Sequence, residues 1–332
     1  MTKMTKIERL QAAINGEPVD RPPVALWRHF PGDDYRPGDL AAATVAFQRR
    51  YDFDFVKVTP ASSFCVQDWG ARDRWMGDKL EGTREYVHYP VLHPDDWRKL
   101  RPLDPAQGAL GAQLQCLRLI ADELGDDTPF IQTIFNPLSQ AKNLVGKEQL
   151  LVHLRRHPDA VCAGLETITA STIRFIAAVR EAGVAGVFYA VQHAQYDLLG
   201  EEEYALFGRP YDLRVLEAAR GLWLNVLHLH GTDVMFDLLA DYPVQVINWH
   251  DRETFPSLAE GQRRFGGAVC GGLQRWDVVV RGNPEQVREQ AADAIAQTGG
   301  RRFILGTGCV TPIVAPTSNI RAARKAVVTE IQ

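Results

Sequence analysis

The sequence predicts an α/β fold: a (β/α)8 TIM barrel, formed as a single domain over residues 1–332. Three observations carry that expectation. Eight short apolar runs have the length of strands, helical patterns separate most of them, and 332 residues suit one barrel with its loops. Strands that alternate with helices pair in parallel through crossover connections, and eight of them close on themselves. An open doubly wound sheet is the alternative, but the turn after the first run has no GxGxxG, which weakens a dinucleotide-binding reading.

The elements follow in order. Ile7, Leu10 and Ile14 mark one face of a short first helix, and Asp20-Arg21-Pro22-Pro23 leads into a strand over Val24 to Trp27. A helix is expected over 40–51 and a second strand over 55–59. Residues 61–106, rich in Trp, Arg, Asp and Pro, read as an irregular active-site wall with a small hairpin strand near 85–92. A helix over 107–124 precedes the third strand, 130–135. Helices over 139–145, 147–155 and 158–182 lead to the fourth strand, 186–190. A helix over 201–222 and a fifth strand over 225–230 come next, with Asp233 expected to cap a short helix ending at Ala240. The remaining strands are 244–249, 268–272 and 303–306, with helices over 283–297 and 316–329. Pro284 stands at the first helical position, where its missing N–H costs nothing.

Composition excludes several classes. With 37 basic and 41 acidic residues the net charge is −4, so there is no basic field for nucleic acid. No run of eighteen apolar residues predicts a membrane span, and the first residues lack the apolar core of a signal peptide. The five cysteines are widely spaced, odd in number and without CxxC, which is reduced, cytoplasmic usage.

Barrel enzymes place their chemistry at the carboxyl ends of the strands. Those ends carry Arg28 and His29, Lys57 with Asp68 nearby, Asn136, Gln192 and His193, His228 and His230, Asn248, His250 and Arg252, and Cys309. His228 and His230 are two apart on a strand, so their rings share a face. Such a pair can bind a metal, handle protons, grip an acidic substrate, or sit hydrogen-bonded under a loop. With Cys309 they form a candidate zinc triad, since two imidazoles and a thiolate leave a fourth position open. Lys57 reads either as a snorkelling side chain or as a cation for substrate. Gly271-Gly272 and Gly306-Thr307-Gly308 offer backbone N–H groups for phosphate, or simply room for substrate.

Several segments together resemble the uroporphyrinogen decarboxylase superfamily over nearly the whole chain. They are Arg21-Pro22-Pro23-Val24 with Trp27-Arg28, Phe55 to Pro60, Thr133 to Pro137, Glu181-Ala182-Gly183 to Ala190, Leu227 to Gly231, and Gly308-Cys309 with Pro316, Asn319 and Ile320. The resemblance implies the barrel and one of two chemistries. Cofactor-free decarboxylases of this kind act on a tetrapyrrole with a loop arginine, matched by Arg28, and a catalytic Asp, which maps near Asp54. Their second loop arginine is absent here, and Gly32-Asp33-Asp34-Tyr35 stands in that region. The other branch transfers methyl groups between a corrinoid and a thiol on zinc, with ligands in a His-x-Cys and a distant Cys. His228 and Cys309 match the outer two ligands, and His230 replaces the middle Cys.

The leading expectation is therefore zinc-dependent methyl transfer involving a thiol or a corrinoid, with a corrinoid protein as partner. In it Arg28 and Lys57 hold an anionic group while Gln192 and Asn248 orient the substrate. The alternatives are decarboxylation without a cofactor, using Arg28 with Asp54 or Asp68, and non-catalytic binding of a corrinoid or porphyrin. A homodimer is implied by the resemblance alone.

Overall fold

A computed structural model describes residues 3–328. Its strands, in chain order, are β1 (Val56–Val58), β2 (Arg72–Arg74), β3 (Glu85–His88), β4 (Phe130–Phe135), β5 (Gly186–Val191), β6 (Val226–Leu229), β7 (Val246–Trp249), β8 (Ala268–Leu273) and β9 (Phe303–Thr307). Seven of them form one curled sheet in the order β1-β4-β5-β6-β7-β8-β9, and every pairing is parallel. β2 and β3 form the small antiparallel hairpin within the 61–106 wall.

The expected first strand is the main departure. Residues 23–25 complete the circuit but form only a single bridge, Val24 to Leu305. On one side Ala25 N–H donates to Leu305 O at 3.0 Å and Leu305 N–H to Pro23 O at 2.8 Å. On the other side Asp54 N–H donates to Val24 O at 2.9 Å. Pro22 and Pro23 have no N–H to extend the ladder, so the eighth stave stays short.

Alternation along the staves sorts two cores. Phe55, Ile131, Phe188, Ala190, Val226, Val246, Ala268 and Ile304 point into the barrel with Trp27, whose ring meets Phe188 edge-on at 5.3 Å. Val187, Tyr189, Leu227, Ile247, Trp249 and Val269 point outward to the helices. The helix Lys6–Asn15 sets fully buried Leu10 against the interior cluster. Pro158–Glu181 is the one described helix long and apolar enough by composition to cross a membrane, yet 56% of that window is buried within the protein.

Helix ends follow local chemistry more closely than the sequence reading did. The stretch 201–222 breaks at Gly208 into Glu201–Phe207 and Arg209–Ala218. Asp233 does not cap the short helix; it has φ 49°, and Phe236–Leu239 starts after Met235. Leu258–Arg264 was not expected, although Ser257 and Glu260 form a capping box that announces it. The last helix is Thr317–Ala326, and residue 329 of the expected helix lies outside the described residues.

The amino end is held by ion pairs. Arg9 reaches Asp20 and Asp54, each at 2.7 Å, and Arg21 reaches Asp54 at 2.8 Å. Burial opposes ionisation of Asp20, but hydrogen bonds from Arg9 and from the Met4 and Arg21 amides bring its pKa down to about 2. A depressed carboxylate stabilises the fold above its unfolded pKa of about 3.9 and loses that contribution as pH falls toward the folded value. Urea unfolding midpoints should therefore drop between about pH 4 and pH 2. Asp20→Asn should flatten that part of the profile.

Candidate active site

Register assembles the site. Val226 pairs with Val246 and His228 with Asn248, so the inward-facing series 226-228-230 and 246-248-250 run side by side. His230 and His250 thus meet just beyond their strands, with ring centroids 5.5 Å apart. His228 stands 5.7 Å from His230 and 6.1 Å from His250 by the same measure. The turn after β9 brings in Cys309. Gly308 permits this: a Cβ there would lie 2.7 Å from both Trp249 O and His250 Cα.

One donor atom from each of His228, His230, His250 and Cys309 lies within 4.8 Å of the other three. Donors bonded to one tetrahedral zinc lie about 3.3–3.8 Å apart, given bonds of about 2.0–2.3 Å, so the cluster needs to close by about 1 Å. Two hydrogen-bond features fit a metal. Asn248 Nδ2 donates to Cys270 O at 2.8 Å and Thr307 O at 3.1 Å, which turns its Oδ1 to accept from His228 Nδ1 at 2.7 Å. His228 Nε2 is then the bare nitrogen that a metal requires. His250 Nδ1 pairs with Glu253 at 3.2 Å, while its buried Nε2 has no partner.

The electrostatics agree. Burial alone would raise the Cys309 thiol, but contacts with His228, His230 and His250 pull it well below its ordinary value. Burial also lowers His228. For His250, burial is outweighed by Cys309 and Glu253, and its pKa rises to about 9. A thiol biased toward its anionic form among imidazoles is the donor chemistry that suits a cation.

The cluster opens on a cavity of about 480 Å³ at the carboxyl ends of the strands. Among its lining residues are His29, Lys57, Gln192, His228, His230 and Cys309, six of the residues expected from sequence. The 61–106 wall contributes Ser62, Glu81, Arg84 and Tyr86. Trp27 and Phe188 supply an aromatic side.

The other expected residues lie elsewhere. Arg28 does not line this cavity; its guanidinium packs 5.2 Å from the Phe30 ring centroid and 5.4 Å from that of Phe47. Asp54 is fully buried and receives Arg9, Arg21 and the Val24 N–H, so it ties down the amino end. Asp68 accepts from Ala109 N–H at 2.9 Å, at the start of the helix Gly108–Leu124. Asn136 caps the helix Pro137–Val145 by accepting from Ser139 N–H, and it donates to buried Asp212 at 3.0 Å. His193 is buried outside the lining, and burial takes its pKa down to about 3. Asn248 orients His228 rather than a substrate, and Arg252 pairs with Asp293 at 2.7 Å and Gly272 O at 2.8 Å. His250 joins the donor cluster rather than the cavity wall. Gly271 and Gly272 lie within β8 and do not offer a free phosphate cradle, because Gly272 N–H donates to Asp251.

Sequence reasoning missed Lys142, Glu81, Arg84 and Arg275 in the lining. Lys142 had a signal, a lone cation within the apolar helix that follows a strand end. Glu81 and Arg275 meet at 3.0 Å across 194 residues, and no local pattern announces such a pair.

A parallel barrel with histidines and a cysteine gathered at its strand ends defines a (β/α)8-barrel protein with a candidate metal centre. The chain belongs to the uroporphyrinogen decarboxylase (URO-D) family, whose family model matches residues 5–329. It is 22% identical to the methylcobamide:CoM methyltransferase MtbA of Methanosarcina acetivorans, over 97% of each chain. It is 26% identical to a uroporphyrinogen decarboxylase of Xanthomonas euvesicatoria, over 92% of this chain and 94% of that one. A solved methyltransferase from Methanosarcina mazei has the same fold, with a TM-score of 0.85 at 20% identity and 98% of each chain covered. The relatives are enzymes of two kinds, and at these identities this chain is a divergent member of the superfamily.

Proposed function

We propose that the protein is a zinc-dependent methyltransferase that moves a methyl group to a thiol, with a corrinoid as the methyl donor. The carrying observation is the buried cluster of His228, His230, His250 and Cys309 at the cavity. In this reading His228, His230 and Cys309 hold the metal, and the fourth position, beside His250, is left to the substrate thiol. Zinc, when bound, favours the thiolate form of a substrate thiol at neutral pH. That sulfur takes the methyl carbon, and the electron pair of the broken bond stays on the donor.

The chain's own residues prepare the reaction. Asn248 fixes the His228 tautomer, and Glu253 accepts from His250 Nδ1. Trp27 and Phe188 keep one wall of the cavity apolar and limit water. With His230 in place of a thiolate, Cys309 is the only anionic donor of the cluster. The metal then keeps more positive charge, so a bound thiol ionises more readily but is a weaker nucleophile.

Zinc-loaded protein mixed with methylcobalamin and a panel of thiols should bleach the methylcobalamin spectrum and yield a thioether. Tightly bound zinc with no thioether from any thiol would refute the reading. Decarboxylation is the second reading, favoured by two lysines in the cavity that have no carboxylate partner among the described residues. Conversion of uroporphyrinogen to coproporphyrinogen, beside a working control enzyme, would establish it.

A further inference from the structure

Besides its histidines, the cavity is lined by four cationic side chains: Lys57, Arg84, Lys142 and Arg275. Two are already neutralised. Arg84 pairs with Asp34 at 2.7 Å and Asp73 at 3.5 Å, and Arg275 with Glu81 at 3.0 Å. The lysines differ: among the described residues neither has a carboxylate within ion-pair range. Lys57, only 7% exposed, reaches Thr59 Oγ1 at 3.3 Å and stands 4.5 Å from the Phe188 ring centroid. Lys142 donates to Gln192 Oε1 at 3.1 Å.

An ammonium withdrawn from water without a carboxylate partner is costly, and the same site attracts an anion more strongly than a solvated lysine does. Burial brings Lys57 down to about 7 and Lys142 to about 8, and a bound anion would favour the protonated form of each. Cys309 and His29 are the titratable neighbours of Lys57; Cys65, Lys147 and His193 are those of Lys142.

The two lysines also sit at different depths. Lys57 lies against Phe188 within β5, whereas Lys142 meets Gln192 just past its end. Those contacts are four residues apart along the chain, one within the strand and one beyond it, so the two ammonium groups have separate partners in the cavity. We propose that Lys57 and Lys142 are two separate anion-binding points, and that the molecule taken into the cavity carries two acidic groups, one deep beside Phe188 and one at the rim beside Gln192. This deepens the methyl-transfer reading by naming a dianionic substrate class, and the binding it requires does not depend on the metal.

The test uses metal-free, full-length protein and the unbranched dicarboxylates from malonate to suberate. Calorimetry compares each with the monocarboxylate of equal chain length. At least one diacid should bind 10-fold or more tightly than its monoacid. Lys57→Met and Lys142→Met should each abolish that margin. Both variants remove a charge that has no carboxylate partner and keep an apolar stem, so neither should lower the melting temperature. The proposal is overturned if no diacid outbinds its monoacid, or if the margin survives in either variant. Thioether formation without a diacid margin would retain methyl transfer and discard the dianion. A diacid margin without thioether formation would do the reverse.

Discussion

Cys309→Ser should lower zinc affinity by more than about 100-fold and remove methyl transfer with it. The floor comes from ordinary metal sites, where losing even a hydrogen-bond partner of a metal-bound histidine costs about 10–100-fold. Cys309 is more than a partner. It supplies the only anionic donor of the cluster, and three imidazoles pull its thiol well below its ordinary pKa. A serine hydroxyl keeps the shape but stays protonated near neutral pH. Asn248→Ala should cost only about 10–100-fold, since it leaves every donor in place and frees the His228 ring to turn. Zinc titration against a competing chelator measures both. Equal affinities for the wild type and Cys309→Ser would remove the thiolate from the site.

Asp54→Ala should destabilise the fold by about 3–5 kcal/mol, the usual cost of stranding a buried charge by removing its partner. Asp54 is 0% exposed, and its two oxygens receive Arg9, Arg21 and the Val24 N–H. Removing it strips buried Arg9 of one of its two carboxylates and frees the segment that closes the barrel. Urea unfolding at pH 7 measures the loss. A catalytic Asp54 would behave otherwise, with activity falling while stability stayed near wild type.

Asp54 shows where the sequence was legible and where it was not. A carboxylate just before a strand looks the same whether it faces substrate or an arginine from the amino end. Only the fold decides, by placing Arg9 and Arg21 against it. Arg28 is a similar case: it follows an inward-facing Trp27, but its side chain turns outward over Phe30 and Phe47. By contrast, His228 and His230 were readable, because a period of two fixes their shared face and an apolar run fixes the strand. Cys309 was readable through its place after the last strand.

The barrel itself was legible from the alternation of apolar runs and helices, which depends on local pattern alone. The first strand was over-read because Val24 to Trp27 is apolar, while the prolines before it withhold the N–H groups a longer ladder needs. His250 was placed at the right strand end, but its membership of the donor cluster was not read from the sequence. Its partners come from strand register, His228 opposite Asn248, and register is not visible in one strand alone.

The most direct test is zinc K-edge X-ray absorption on untagged protein loaded with zinc. The proposed metal centre predicts one zinc per chain, with nitrogen donors at about 2.0–2.1 Å and one sulfur at about 2.3 Å. Failure to take up zinc, or a bound zinc whose spectrum contains no sulfur, would contradict a metal centre at His228, His230 and Cys309.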